Sequence, residues 1–461
     1  MKSKLLMLLV SGVACATAQA AKVDVERLRG VITATPEALE PGCAIGVFRA
    51  GKVEAFTAAG YADIEQRRPL NADTLFYAAS VSKQFTVLAI AKLVEAGRLG
   101  LDDDVRRYLP ELPQYSRPVT VRQLILHTAG IRDSLGLLGY AGLGTADKND
   151  KDTALQLVFR QKNTNFAPGT EYSYSNGGYL LLAEIVERIS GMPFADFAKR
   201  EVLDPLGMKR SFFLNGPPPA LQNVAHGYVK SKDGQGFDIR DTYPRFSGSG
   251  GLMLTLNDLA RYEHDIEVGH KVWTPVVREI MFTPGTFTNG EPALRPGTGG
   301  LGYGGGLQIG WHQGQYVVQH GGGAEAFSHL VTRLPQRRLG VAVLCNRTDW
   351  PVGDKMIQAI ETVEGDIFKT LVEPAQIAGR YYSDELQAHY DLVLDGNTLT
   401  VRVTPRGGSQ PVGEPYQFKR DRGGTYKLGD MILTPHDGGT GFTLDSGRIS
   451  GLQFQKAAVR E

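Results

Sequence analysis

Two rhythms of apolar and polar positions run along this chain. From residue 85 to residue 94 the apolar run is nearly unbroken, polar residues precede it and Gly97 follows as a C-cap, so residues 80–96 read as one buried helix. Residues 178–189 form a second apolar helix, ended by Ser190 and Gly191. Thr120 caps a helix over 121–127, and residues 101–110 read as a capped turn and a short helix end. A glycine-rich turn over 247–255 leads to a helix that starts near Asn257 or Asp258 and includes Leu259 and Tyr262. Helix-forming sequence covers 352–371. Residues 132–165 are polar with weak periodicity, a pattern expected of loop at a cleft wall.

The second rhythm has period two. Residues 41–60 predict a hairpin, with strands over 43–48 and 53–57 around a turn at 50–52. Residues 296–345 predict an antiparallel meander with strands over 307–311, 316–319, 327–331 and 339–344. Strands from both chain ends with helices between them make this part α+β. A break is expected at Glu373 and Pro374. Beyond it come short strands with glycine turns, over 379–382, 390–394, 397–401 and 441–444. That pattern predicts a separate all-β module, a small barrel or sandwich.

The first twenty residues stand apart. Lys2 and Lys4 precede an apolar stretch over 5–13, and Ala18-Gln19-Ala20 is an A-x-A cleavage site. Residues 1–20 therefore read as a signal peptide with cleavage near Ala20, predicting a periplasmic or secreted protein. A lipoprotein signal through Cys15 is the alternative, but Gly12-Val13-Ala14 lacks the leading Leu that pattern needs. No other stretch is long and apolar enough to span a bilayer, so no stable membrane insertion is expected. The expected domains are then 21–371 and a β-rich accessory unit over 372–461. A net charge of +1 without a long basic run argues against nucleic acid as the main partner. No H-E-x-x-H occurs and the histidines are scattered, so neither a metal nor a cofactor is implied.

Chemistry enters with Ser80 and Lys83. Residues three apart share a helix face, which sets a hydroxyl beside an amine at the positive end of a helix dipole. A desolvated lysine can take the serine proton, and the helix end can offer an N–H to an oxyanion. Ser80 could equally be a helix cap and Lys83 a solvated side chain. Tyr174 and Asn176 form the chain's only Y-x-N; a phenol near the lysine could relay the proton, and Asn176 could hold Lys83 and a substrate amide. Both could also be ordinary residues before a helix. His320-Gly321-Gly322-Gly323 ends a predicted strand, where glycines let a ligand backbone approach. A histidine there is often structural.

In this order, Ser80-x-x-Lys83, Tyr174-x-Asn176 and His320-x-Gly322 resemble the three site motifs of the serine β-lactamase and penicillin-binding protein superfamily. The match is to the branch holding class C β-lactamases, D-aminopeptidases and β-lactamase-like esterases, over roughly residues 30 to 365. Leu124 to Gly130, Pro168-Gly169 and Gly250-Gly251-Leu252 agree with it. The resemblance implies a β-lactamase-like α+β domain, an antiparallel sheet flanked by helices. It implies Ser80 as acyl-enzyme nucleophile, Lys83 and Tyr174 sharing acid and base duty, and Asn176 orienting them. His320, Gly322 and Gly323 would line the substrate cleft, with the N–H groups of Ser80 and Gly323 as oxyanion hole. His127 is taken as structural. The usual third motif is Lys-Thr-Gly; His320 removes its permanent cation and favours a D-amino-acid peptidase or esterase over a β-lactamase or D-alanyl-D-alanine carboxypeptidase. A non-catalytic protein that binds cell-wall fragments on the same fold is the reading from another class. Substrates would be small molecules or short peptides. Glu325 could meet a substrate amine or be a solvated loop acid. The family's sheet sets its first strand beside its last, so Cys43 and Cys345 are expected close together, as thiols without a disulfide.

Overall fold

The computed structural model describes residues 23–33, 38–143, 151–216, 221–241, 243–244, 246–298, 300–368, 377–420, 425–429, 431–436, 440–446 and 449–457. The predicted signal peptide, its cleavage site, Cys15 and the break at Glu373 and Pro374 lie outside these residues.

A seven-stranded antiparallel sheet organises the first unit. Its spatial order is Gly302–Tyr303, Gln308–His312, Gln315–Ala324, Phe327–Leu334, Leu339–Cys345, Cys43–Arg49 and Lys52–Ala59. The predicted hairpin and meander are thus one sheet, joined where Cys43–Arg49 pairs with Leu339–Cys345. Every residue of Leu339–Cys345 is buried, because both sheet faces are covered. Cys43, Ile45, Val47, Leu339, Val341 and Val343 pack on one face against Leu28, Met356 and Ile360 of the helices Val25–Val31 and Val352–Glu364. Ala44, Phe48, Ala342 and Leu344 turn to the opposite face and join the main core with the central helices.

The helix Ser82–Glu95 runs through that core with Phe85, Val87, Leu88, Ala89, Ile90 and Ala91 wholly buried. Each larger apolar side chain there contributes about 1.5–3 kcal/mol on burial, which explains a helix with no polar stripe. The helix Asn176–Ser190 packs against it and ends at Gly191, whose φ of 74° lies in the left-handed region that glycine adopts freely.

Four departures from the sequence reading stand out among several. The buried helix begins at Ser82, and Ser80 sits in a preceding 3-10 turn, Ala79–Val81. Part of the segment read as loop forms two helices, Ser134–Tyr140 and Lys151–Phe159. The first buries only Ser134 and Leu138, too few to set a period, and the second buries Ala154, Leu155, Val158 and Phe159 at helical spacing over only nine residues. Leu252–Leu254, inside the glycine-rich turn, is a short strand pairing with Phe76–Tyr77 and Phe212–Phe213. Finally, Cys43 and Cys345 are joined in a disulfide. The register sets these two residues directly opposite one another, so the thiols expected merely to approach are bonded.

The C-terminal unit is a closed eight-stranded antiparallel barrel from Gly379–Ser383 to Ile449–Lys456, resolving the choice between barrel and sandwich. Tyr381, Leu392, Leu399, Phe418, Tyr426, Phe442 and Phe454 fill its interior. Closure leaves no open sheet edge.

Candidate active site

Ser80 is not used as a helix cap: neither its own turn nor the helix Ser82–Glu95 has a side-chain cap. The residue before it, Ala79, has φ of 46°, a left-handed conformation that costs a non-glycine residue energy and is held here by its surroundings. One turn on, Lys83 is fully buried. Its Nζ lies 3.2 Å from Ser80 Oγ and donates to Asn176 Oδ1 at 2.8 Å and to the Ser249 carbonyl at 2.8 Å. The rings of Tyr174 and Tyr179 flank the amine at 4.6 and 5.3 Å from their centroids. Burial pulls the Lys83 pKa down to about 7; the nearby Asp133 carboxylate opposes that fall and the Arg295 guanidinium adds to it.

Tyr174 and Asn176 flank Ser175, the N-cap of the helix Asn176–Ser190. Burial raises the Tyr174 phenol well above its ordinary pKa, and a hydrogen bond with Ser80 works against the rise. Asp133 Oδ2 accepts from both the backbone N–H and the side-chain amide of Asn176, at 2.7 and 2.8 Å. The same carboxylate caps the helix Ser134–Tyr140 by accepting from the Gly136 N–H through Oδ1. Between Tyr174 and Asn176, the Ser175 N–H donates to His127 Nδ1 at 3.1 Å. The His127 ring packs 4.3 Å from that of Tyr174 and 4.6 Å from that of Tyr303. His127 therefore holds the Y-x-N segment in place, in keeping with a structural part.

The third motif extends the strand Gln315–Ala324, which packs beside the Ser80 turn. The His320 side chain turns inward: only 2% of the residue is exposed. Nδ1 donates to the Gly321 carbonyl at 2.6 Å, so Nε2 is the acceptor for the Tyr303 hydroxyl at 2.8 Å. Burial lowers its pKa to about 3, with the charges of Lys83 and Arg295 pushing the same way, and the imidazole is neutral. Gly322 faces the Ala78 carbonyl so closely that an added Cβ would lie 2.4 Å from it. A Cβ on Gly323 would meet no atom within 4 Å. Glu325 ion-pairs with Arg240 at 3.8 Å.

Ser80, Lys83, Tyr174 and Asn176 thus meet directly, and the His320–Gly323 segment borders them. Sequence reading passed over Asp133, the Ser249 carbonyl and Arg295. Asp133 had a weak signal as an N-cap-type residue before a short helix; the others carried none, since a backbone carbonyl has no residue identity and Arg295 lies in a polar loop. Among the described residues no group of three or more His, Cys, Asp or Glu could hold a metal ion, and no helix is long and apolar enough to cross a membrane. The arrangement presents a hydroxyl to a neutral or easily neutralised amine, with a protonated phenol on the same oxygen. Such a set can activate an alcohol and pass its proton on.

The family model described as Beta-lactamase matches residues 28–363 of the 461. A penicillin-binding protein of Bacillus subtilis (strain 168) is 31% identical over 301 residues, covering 63% of this chain and 64% of that protein. A D-aminopeptidase of Cereibacter sphaeroides is 31% identical over 326 residues, covering 70% of this chain and 60% of the relative. The chain thus spans less than two thirds of the length of either relative. The structure of an octameric penicillin-binding protein homologue from Pyrococcus abyssi superposes with a TM-score of 0.64 at 25% identity, over 94% of this chain and 98% of that one.

Proposed function

The chain belongs to the β-lactamase family, and from that premise we propose that it is an exported serine hydrolase working through an acyl-enzyme on peptide, amide or ester bonds. Within that class the reading is a D-amino-acid peptidase or esterase. The observation that carries it is the environment of Lys83 Nζ. A neutral amine has two N–H groups and one lone pair. Two carbonyl-type oxygens, Asn176 Oδ1 and Ser249 O, take the N–H groups at 2.8 Å each, and the third neighbour is Ser80 Oγ at 3.2 Å. The lone pair is left for the serine proton.

In this mechanism Lys83 accepts the proton as Ser80 Oγ bonds to the substrate carbonyl carbon. The developing oxyanion is met by the N–H groups of Ser80 and Gly323. The protonated Tyr174 phenol gives its proton to the leaving amine or alkoxide as the scissile bond breaks, and is re-protonated from Lys83. Water then attacks the acyl-enzyme by the same route in reverse, releasing the acid and restoring the Ser80 hydroxyl. Export rests on the leader-like residues 1–20. The preference for D-amino-acid peptides or esters over β-lactams is supported by His320, whose neutral, enclosed ring offers no cation where the usual third motif has a lysine.

A fluorophosphonate probe should label the purified wild type and not Ser80→Ala. Hydrolysis of p-nitrophenyl butyrate and D-alanine p-nitroanilide should exceed that of nitrocefin. Rapid nitrocefin turnover alone would reverse the substrate ranking; no label on folded wild type would favour the non-catalytic binder.

A further inference from the structure

We propose that the cavity between the sheet and the C-terminal barrel is a second ligand site, separate from the Ser80 site, for an uncharged molecule that carries an amide on an apolar body. This site does not depend on the hydrolase reading. The cavity holds about 540 Å³, a size within the roughly 300–1,000 Å³ of small-molecule sites. Its floor is the sheet face that packs on the helix Val352–Glu364, where Leu330 joins Met356 and Ile360. Side chains alternate along Gln315–Ala324, so His320 turns to the Ser80 side and its neighbour Gln319 to the cavity. Opposite the helix, Lys427, Ile432 and Thr434 of the barrel strands Tyr426–Leu428 and Met431–Pro435 form the other wall. The units touch at one end of the cavity: a Cβ added to Gly297 would lie 3.8 Å from Ile432 Cδ1.

The lining selects the chemistry of its ligand. Leu301, Val317 and Phe368 extend the apolar surface that a ligand body would cover. Within that surface Gln308 and Gln319 stand directly opposite each other on adjacent strands. Gln319 Oε1 accepts from Thr332 Oγ1 at 3.2 Å, and among the described residues no acceptor takes the Gln319 side-chain N–H groups. Gln308 is only 8% exposed, yet among the described residues its side-chain amide has no partner, and its atoms are not sealed off from the cavity they line. A carboxamide so far from bulk water is costly until it is paired. A ligand amide brings both a donor and an acceptor to the two glutamines. Charge favours a neutral ligand. Asp354 and the exposed Lys427 bring one charge of each sign to the lining, and His312 sets its ring edge-to-face on Phe368 at 6.5 Å. An ionic ligand would give up water among apolar groups without a dedicated counter-ion.

The test is displacement of N-phenyl-1-naphthylamine, a neutral dye that fluoresces in apolar surroundings, from the full chain. Decanamide, decanoate and decylamine are the competitors, since they share one alkyl body and differ in the polar end. Decanamide should displace the dye at about tenfold lower concentration than either charged analogue. Ile432→Trp, which fills the cavity from the barrel side, should weaken dye and decanamide binding about tenfold or more. Gln308→Leu should keep the dye and lose the preference for the amide. The inference is overturned if the wild type shows no preference for decanamide, if Ile432→Trp binds within about twofold of the wild type, or if Gln308→Leu keeps the full preference. It is also overturned if dye binding falls as the protein is concentrated, which would assign this face to a second copy of the chain. Should Ile432→Trp fail to fold, Thr434→Trp fills the same space and is read in the same way; should Gln308→Leu fail to fold, the order of the three competitors on the wild type decides.

Discussion

Lys83 Nζ donates to Asn176 Oδ1 at 2.8 Å, and the direction of that bond is set from behind. Asp133 Oδ2 takes the Asn176 side-chain N–H, so the amide has only its oxygen to turn toward the lysine. A carboxylate two steps from Ser80 thus decides that Lys83 meets an acceptor, and it also opposes the fall in the Lys83 pKa.

This gives a signed pH dependence. The free base is the form that accepts the serine proton, so kcat/KM for p-nitrophenyl butyrate should rise with pH along a limb near pH 7, following Lys83. In Asp133→Asn the charge that favours the ammonium form is gone, and the limb should move to lower pH. A limb that stays in place in this variant would remove Lys83 as its origin. His320, with its pKa near 3, should contribute no limb between pH 5 and pH 8.

Tyr174 is asked to carry a proton, and Phe keeps its ring in the His127 contact while removing the hydroxyl. Tyr174→Phe should lower kcat by about a hundredfold or more, within the range of a lost general acid or base. Thermal melting should change little by comparison. A fall of less than about threefold would take the phenol out of the mechanism.

His329 predicts acid sensitivity that is independent of catalysis. Its Nε2 donates to the Tyr77 carbonyl at 2.8 Å and its Nδ1 accepts the Cys345 N–H at 3.2 Å, so protonation would set a donor against a donor. Burial lowers its pKa to about 4. The unfolded chain then binds the proton first, and stability falls as pH drops from the unfolded value near 6.5 toward 4. Between pH 7 and pH 5 this one group should cost about 2 kcal/mol. His127 and His320 are lowered in the same direction, so the test is the difference between wild type and His329→Asn in urea melts at the two pH values. The variant should be the less pH-dependent.

The Cys43–Cys345 disulfide ties residues 302 apart in sequence. Closing so long a loop restricts the unfolded chain, and Cys43→Ser with Cys345→Ser should lower stability by about 2–5 kcal/mol. Intact mass under non-reducing conditions should be two hydrogens lighter than after reduction. Equal masses would show free thiols.

Much of this protein was legible from local patterns. The apolar run after Ser82 could only be a buried helix, the i,i+3 spacing of Ser80 and Lys83 put them on one face, and the alternation near each chain end announced strands. The order of the three motifs pointed to the fold through its resemblance to the serine β-lactamase and penicillin-binding protein superfamily. What tertiary structure alone decided is the state and surroundings of those groups. The Lys83 pKa falls because Asn176, Ser249 and two tyrosine rings from distant segments exclude water from the amine. Cys43 and Cys345 are bonded because sheet register sets them opposite each other. Arg295 acts on Lys83 because a turn closed by Thr298 brings it over Tyr174. Periodicity follows from contacts along one element, whereas desolvation, charge and register depend on which remote elements share the same few ångströms.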